Sequence, residues 1–255
     1  MSRANEADRA AGPGAGLRGA RVVIVGGGSG IGLGAAAMLA AIGAEVVIAG
    51  RNAEKLGAAA LAVGPAVRPE TVDAASSESR AAFFSRIGAI DHLVLTLTGR
   101  LGGGAFASLP LKELRRAFDE KFWPHLETAQ AALPTLSKRG SLTFVTGISA
   151  RKVNPGGSGF AALNGALEAM TPALARELAP LRVNSVSPGL IRTPWYDFLP
   201  EDERREIYEQ AAARLPVGRV GTPEDVARAL LYVLTTPFVT GSIVECDGGA
   251  RLIGA

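Results

Sequence analysis

The chain has 255 residues, 47% of them hydrophobic, enough to bury one large core in a single α/β domain. Its 27 Lys and Arg against 24 Asp and Glu leave a net charge of +3, scattered without the dense basic block that phosphate backbones attract, so no nucleic-acid partner is expected. The lone Cys246 excludes an intramolecular disulfide and a cysteine-rich metal site, no metal is expected, and no stretch reaches the roughly 18 uninterrupted apolar residues of a membrane span, so the expectation is a cytoplasmic protein without a membrane partner.

Residues 1–16 mix Ala and Gly with Arg3, Glu6, Asp8 and Arg9, lack the apolar run of a secretory signal, and read as a flexible tail. From there to residue 255 short β-branched runs alternate with Ala/Leu-rich helical stretches, the pattern of one doubly wound parallel sheet of about seven strands, a Rossmann-type α/β domain. The strands are expected at Val22–Val25, Glu45–Ala49, Ala66–Val72, His92–Leu97, Ser141–Thr146, Leu181–Val186 and Ser242–Cys246. Helices are expected at Gly30–Ile42, Ala53–Leu61, Ser76–Ile87, Leu111–Leu136, Gly159–Leu178, Glu201–Arg214 and Pro223–Leu234. There is no internal repeat and no second composition regime.

The run Val22-Val-Ile-Val-Gly-Gly-Gly-Ser-Gly-Ile-Gly32 is a hydrophobic strand, a glycine turn and a helix start. Glycine lets the backbone approach a pyrophosphate, and the free N–H groups of a helix N-terminus attract its charge. Gly26, Gly30 and Gly32 carry the G-x-x-x-G-x-G spacing; a plain structural turn is the alternative. The second strand ends at Gly50-Arg51-Asn52, where an NAD site places an acidic residue on the ribose and an NADP site places an arginine. Arg51 therefore points to NADP (NADPH), against the alternative of a solvated surface arginine. Asp73-Ala74 follow the third strand at the level of an adenine ring.

From Leu17 to the C-terminus the chain resembles the classical short-chain dehydrogenases/reductases. The likeness rests on the glycine turn, on Asp73, on Arg182-Val-Asn-Ser-Val-Ser-Pro-Gly189 and on Thr240-Gly-Ser-Ile-Val-Glu-Cys-Asp-Gly-Gly249. It implies a hydride-transferring domain with Ser29, Ile31, Arg51, Asn52, Asp73, Ala74, Thr98, Gly99, Pro188, Gly189, Ile191 and Thr193 beside the cofactor, and a homo-oligomer, dimer or tetramer. Val25 stands where the family has Thr, and Thr96-Leu97-Thr98-Gly99 stands for Asn-Asn-Ala-Gly; backbone donors and glycine geometry can survive both changes.

The catalytic end departs. The family uses a Tyr and a Lys four positions apart on one helix, a Ser before them and an Asn on the preceding long helix; here these positions read Phe160, Asn164, Gly147 and Lys121. Hydride delivered to a carbonyl leaves an alkoxide, and Phe160 has no proton to give it. Lys121 is the candidate replacement, since a lysine in a semi-buried cleft has a lowered pKa and serves as acid or electrostatic stabiliser; a surface lysine paired with nearby acids is the alternative. Ser149, after the fifth strand, is the candidate hydrogen-bond donor, with turn capping as its alternative. Thr146 flanks the same position. His125 follows Lys121 by one turn, but Pro124 intervenes.

Arg192-Thr-Pro-Trp-Tyr-Asp-Phe-Leu199 places three aromatics in the substrate loop near 190–215, matching an apolar or aromatic small-molecule substrate or, equally, an assembly surface. The reading is an atypical NADP-dependent oxidoreductase, of carbonyl-reductase or alcohol-dehydrogenase type. A non-redox lyase, isomerase or cyclase in the same fold, and a non-catalytic cofactor-binding subunit, stand as alternatives.

Overall fold

The computed structural model describes residues 15–152 and 154–253. Seven strands, β1 (Arg21–Val25), β2 (Glu45–Gly50), β3 (Val67–Thr71), β4 (Ile90–Leu95), β5 (Leu136–Val145), β6 (Arg182–Pro188) and β7 (Ile243–Cys246), form one parallel sheet in the order β3-β2-β1-β4-β5-β6-β7. The helices between them are α1 (Gly30–Ala41), α2 (Ala53–Val63), α3 (Ser77–Ile87), α4 (Leu111–Ala117), α5 (Trp123–Ala132), α6 (Ser158–Glu177), α7 (Glu201–Arg214) and α8 (Pro223–Thr235).

Both faces of the sheet are covered, and β1 shows why. Successive side chains of a strand point to opposite faces. Val22 and Ile24 join Ala35, Leu39 and Leu230 in one core, while Val23 and Val25 join Phe83, Phe84, Leu93 and Phe144 in the other. Each such side chain contributes roughly 1.5–3 kcal/mol on burial, so a strand apolar on both faces is stable only between two helical layers.

The strand order reverses between β1 and β4. In open parallel sheets the crevice beyond the strands' C-terminal ends at such a reversal is where ligands bind. Gly26 closes β1 there, and Thr96, just past β4, donates its N–H to the Val25 carbonyl at 2.9 Å.

Four expectations need correction. The helix expected over Leu111–Leu136 is broken into α4, a π-helical turn at Phe118–Phe122 and α5, and it ends at Ala132. Pro124 has no N–H for the carbonyl one turn back and its ring crowds that carbonyl, and a wider turn accommodates both. Leu136 instead opens β5, pairing with Ile90 five residues ahead of the expected strand start, with a register break before His92 pairs with Ser141. Thr96 and Leu97, expected in the fourth strand, lie beyond β4. Ala15 and Gly16, assigned to the tail, belong to a 3₁₀ turn that carries Leu17 into the core; residues 1–14 of that tail lie outside the described residues. Among the described residues no helix is long and apolar enough to cross a membrane.

Candidate active site

The glycine turn sits at the mouth of the crevice. Gly26 has φ +95° and approaches the Thr96 backbone so closely that a Cβ there would stand 2.8 Å from the Thr96 carbonyl oxygen. Gly32 faces the Gly27 Cα at 2.9 Å in the same sense, and a Cβ on Gly30 would stand 3.3 Å from Thr193. Ser29, Gly30 and Thr193 thus meet across the crevice, with Ile31 at the start of α1. Ser29 is the N-cap of α1 but its side chain caps nothing; its Oγ accepts a hydrogen bond from Lys55 Nζ at 3.1 Å. A helix N-terminus without a side-chain cap, with a cation at its edge, fits an anionic group that approaches the backbone.

Arg51 is exposed and has no ion pair among the described residues. Asn52 is engaged otherwise: its Oδ1 accepts from Lys55 N at 2.9 Å and caps α2. Lys55 is the residue sequence reasoning missed here. It lies one turn into α2, and the signal was available, since a residue three beyond an N-cap points back over the turn. Asp73 is exposed, with Oδ1 accepting from Ala75 N at 3.0 Å, while Ala74 is buried. Thr98 and Gly99 follow β4, and Pro188 ends β6.

Two expected cofactor neighbours have structural employment. A Cβ on Gly189 would stand 2.8 Å from the Asp247 Cα, so the turn after β7 demands this glycine. Ile191 is buried in the core shared by α1 and α8 and bridges to Gly221.

At the other side of the crevice the structure brings Lys121, Asn164 and Ser149 together. Lys121 lies in the π-helical turn and is buried. Its ammonium donates to the Thr146 carbonyl at 3.0 Å and to Asn164 Oδ1 at 2.8 Å. Burial pushes its pKa down to about 8, with the Glu168 carboxylate opposing. Asn164 Nδ2 donates to Ser149 Oγ at 2.9 Å and to the Phe160 carbonyl at 3.1 Å. The alternative of a surface lysine therefore fails, and the ammonium and the amide have exchanged helices relative to the arrangement the resemblance implies. Gly147 makes room for this, because a Cβ there would stand 3.2 Å from Asn164 Nδ2.

The Phe160 ring packs under the loop after β4, where a Cβ on Gly103 would stand 2.9 Å from Cε2. His125 is fully buried and donates from Nδ1 to the Lys121 carbonyl at 2.7 Å. Burial, then the Lys121 charge, hold its pKa down at about 3, so it stays neutral and fixes the turn that carries Lys121. Glu168, one turn beyond Asn164 on α6, was also missed. Its carboxylate accepts from Thr146 Oγ1 at 2.9 Å, Ser187 Oγ at 2.7 Å and Arg151 Nε at 2.9 Å. The i,i+4 spacing from Asn164 was the signal that could have found it.

The helix expected at Glu201–Arg214 is present as α7 and occupies the second half of the expected substrate loop. Trp195 stacks edge-on with Tyr196 and Phe198 at 4.6 and 5.7 Å, and its indole N–H donates to the Gly99 carbonyl at 3.2 Å. The Arg100 guanidinium lies 5.0 Å above the Phe198 ring. Burial raises the Tyr196 phenol to about 12, which makes it a poor proton donor near neutrality. Among the described residues no cluster of His, Cys, Asp and Glu could hold a metal ion.

A doubly wound sheet with a glycine turn at its reversal defines a nucleotide-binding class of enzyme, and comparison with known proteins gives the family. The family model for Enoyl-(Acyl carrier protein) reductase matches residues 25–251. The chain belongs to the short-chain dehydrogenase/reductase family, whose members here are oxidoreductases that bind NAD(P). It is 34% identical over 255 residues to Short-chain dehydrogenase/reductase ATR9 of Stachybotrys chlorohalonatus, covering 92% of this chain and 98% of that one. It is 30% identical to the solved MalC Reductase/Diels-Alderase from Malbranchea aurantiaca, with a TM-score of 0.85 over 93% of this chain and 98% of that one. A small-chain dehydrogenase solved in complex with NADPH is 33% identical, with a TM-score of 0.79 over 92% and 99% of the two chains.

Proposed function

We propose that this oxidoreductase is an NADP-dependent carbonyl reductase or alcohol dehydrogenase of atypical site, acting on a small apolar or aromatic substrate. The observation that carries the reading is a buried ammonium, Lys121, tied through Asn164 to a half-buried hydroxyl, Ser149, at the end of β5. A group that binds in the crevice as NADPH supplies the hydride. The chain's own part is to stabilise and protonate the alkoxide that the hydride leaves. Ser149 donates a hydrogen bond to the substrate oxygen and Lys121 supplies positive charge from behind it; the ammonium N–H not given to Thr146 or Asn164 passes its proton through crevice water to the alkoxide, solvent returns a proton to the amine, and a pKa of about 8 keeps that acid available near neutrality.

The cofactor reading draws on the glycine cradle at Gly26, Gly30 and Gly32, on Asp73-Ala74 and Thr98-Gly99 at the crevice walls, and on the Arg51 and Lys55 cations at its outer end. The substrate reading draws on the Trp195 and Phe198 rings beside Gly99. Exposed Leu111 and Trp123, flanking Leu114 and Phe118, support a homo-oligomer, dimer or tetramer. The lone Cys246 accords with residence in the cytoplasm.

A second reading, a cyclase in the same crevice, is favoured by two features: Phe160 fills the position of the proton-donating phenol, and the related MalC is a Reductase/Diels-Alderase. One screen separates the two. NADPH and NADH are titrated by fluorescence, then benzaldehyde, acetophenone and cyclohexanone are added at saturating NADPH while absorbance is followed. Consumption of NADPH is expected with at least the aromatic carbonyls. Tight NADPH binding without consumption across the panel overturns the reductase reading.

A further inference from the structure

Asn164 is oriented by two partners that leave no choice. The Lys121 ammonium can only donate, so it faces Oδ1; the Phe160 carbonyl can only accept, so it faces Nδ2. Both assignments agree, and they make Ser149 Oγ, 2.9 Å from Nδ2, an acceptor. A serine hydroxyl that accepts still has one proton to give. Among the described residues nothing receives it, and Ser149 is half-buried where Lys121 and Asn164 are buried.

We propose that Asn164 is a positioning residue: it holds the Lys121 ammonium behind Ser149 and turns the Ser149 O–H outward, toward the oxygen of a bound carbonyl. The identity of that oxygen rests on the reductase reading; the coupling of the three side chains does not. Other charges around the ammonium are already committed. Glu168 on α6 is held by Arg151, Thr146 and Ser187, and His125 on α5 is neutral. Gly147 is part of the device, since a serine there would press on the amide that does the orienting.

Asn164→Asp tests this with almost no change of shape. A carboxylate only accepts, so Ser149 must donate inward to it and the crevice loses its donor. The expected kcat falls about 10²–10³-fold, with KM for NADPH unchanged. Ser149→Ala falls by a similar factor, and the double variant is no slower than the slower single one, because both act through one hydrogen bond. A readout without turnover accompanies these. Lysine side-chain NMR titration, with the Lys121 resonance assigned by its loss in Lys121→Met, is expected to show the midpoint rising from about 8 into the ordinary lysine range in Asn164→Asp.

An unmoved Lys121 midpoint overturns the proposal whether or not the protein turns over. Losses that multiply independently in the double variant overturn the orientation of Ser149. A parent that consumes no NADPH while the midpoint rises removes the reductase reading and leaves the coupled triad standing.

Discussion

The two walls of the crevice are built from different parts of the chain. At the nucleotide wall the backbone does the work: Gly26, Gly30 and Gly32 bring peptide groups to the surface, where a Cβ on Gly26 or Gly32 would collide with the neighbouring backbone. At the opposite wall the work falls to side chains, and Lys121, Asn164, Ser149 and Gly147 make sense only together. The contrast shows how a fold keeps one half of a site while rebuilding the other. Backbone geometry is lost with a single methyl group, whereas a side-chain network is exchanged as a set.

The largest effect is expected where that contrast is sharpest. Gly26→Val combines a forbidden φ with a Cβ pressed on the Thr96 backbone, so the turn must open. Losing one or two hydrogen bonds to a charged phosphate weakens NADPH binding about 10²–10⁴-fold, read by fluorescence titration. Affinity within a few-fold of the parent would break the claim that backbone geometry carries this wall.

Lys121→Met is the counterpart at the other wall. It is expected to lower kcat about 10²–10⁴-fold while the NADPH dissociation constant stays put. In the parent, kcat for reduction falls as pH rises through about 8, because the ammonium is the form that donates; a flat profile from pH 7 to 9 would take Lys121 out of the chemistry.

The same residue has a signature in stability. An unfolded lysine keeps its proton up to about pH 10.5, the folded one releases it near 8, so between these values the unfolded state binds more protons. Stability of the parent relative to Lys121→Met therefore rises with pH across this window. The gain is about 3 kcal/mol in full, from about 1.4 kcal/mol per pKa unit. Urea denaturation at pH 7.5 and 10 measures it, and a difference that does not change would mean that the ammonium is not buried.

How much of this was legible beforehand follows the same division. The seven strands, the glycine turn and the replaced positions at Phe160, Asn164, Gly147 and Lys121 stand in the sequence, since periodicity and spacing are local properties. The break at Phe118–Phe122 was not, although Pro124 announced an irregularity, because a proline states that a helix must adjust and not how. Nor was the meeting of Lys121 with Asn164, 43 positions apart. Each looked like a separate loss until the fold placed one opposite the other. For Gly189 and Ile191 the sequence did not show the packing against Asp247 and the bridge to Gly221 that also hold them in place.

The smallest expected effect concerns the outer end of the nucleotide wall, the one place there where side chains matter. Arg51 is exposed without an ion pair among the described residues, and Lys55 reaches Ser29 across the turn, so on the NADP reading two cations would meet a ribose 2′-phosphate. Each is expected to add one charge-assisted contact that NADH cannot make, and solvent exposure holds its value near the lower end of the range. Arg51→Ala and Lys55→Ala should each weaken NADPH about 10-fold and leave NADH unchanged. The pair of titrations sharpens the comparison of the two walls: equal weakening of both nucleotides would mean that these residues support the turn itself, and that the nucleotide wall selects by backbone alone.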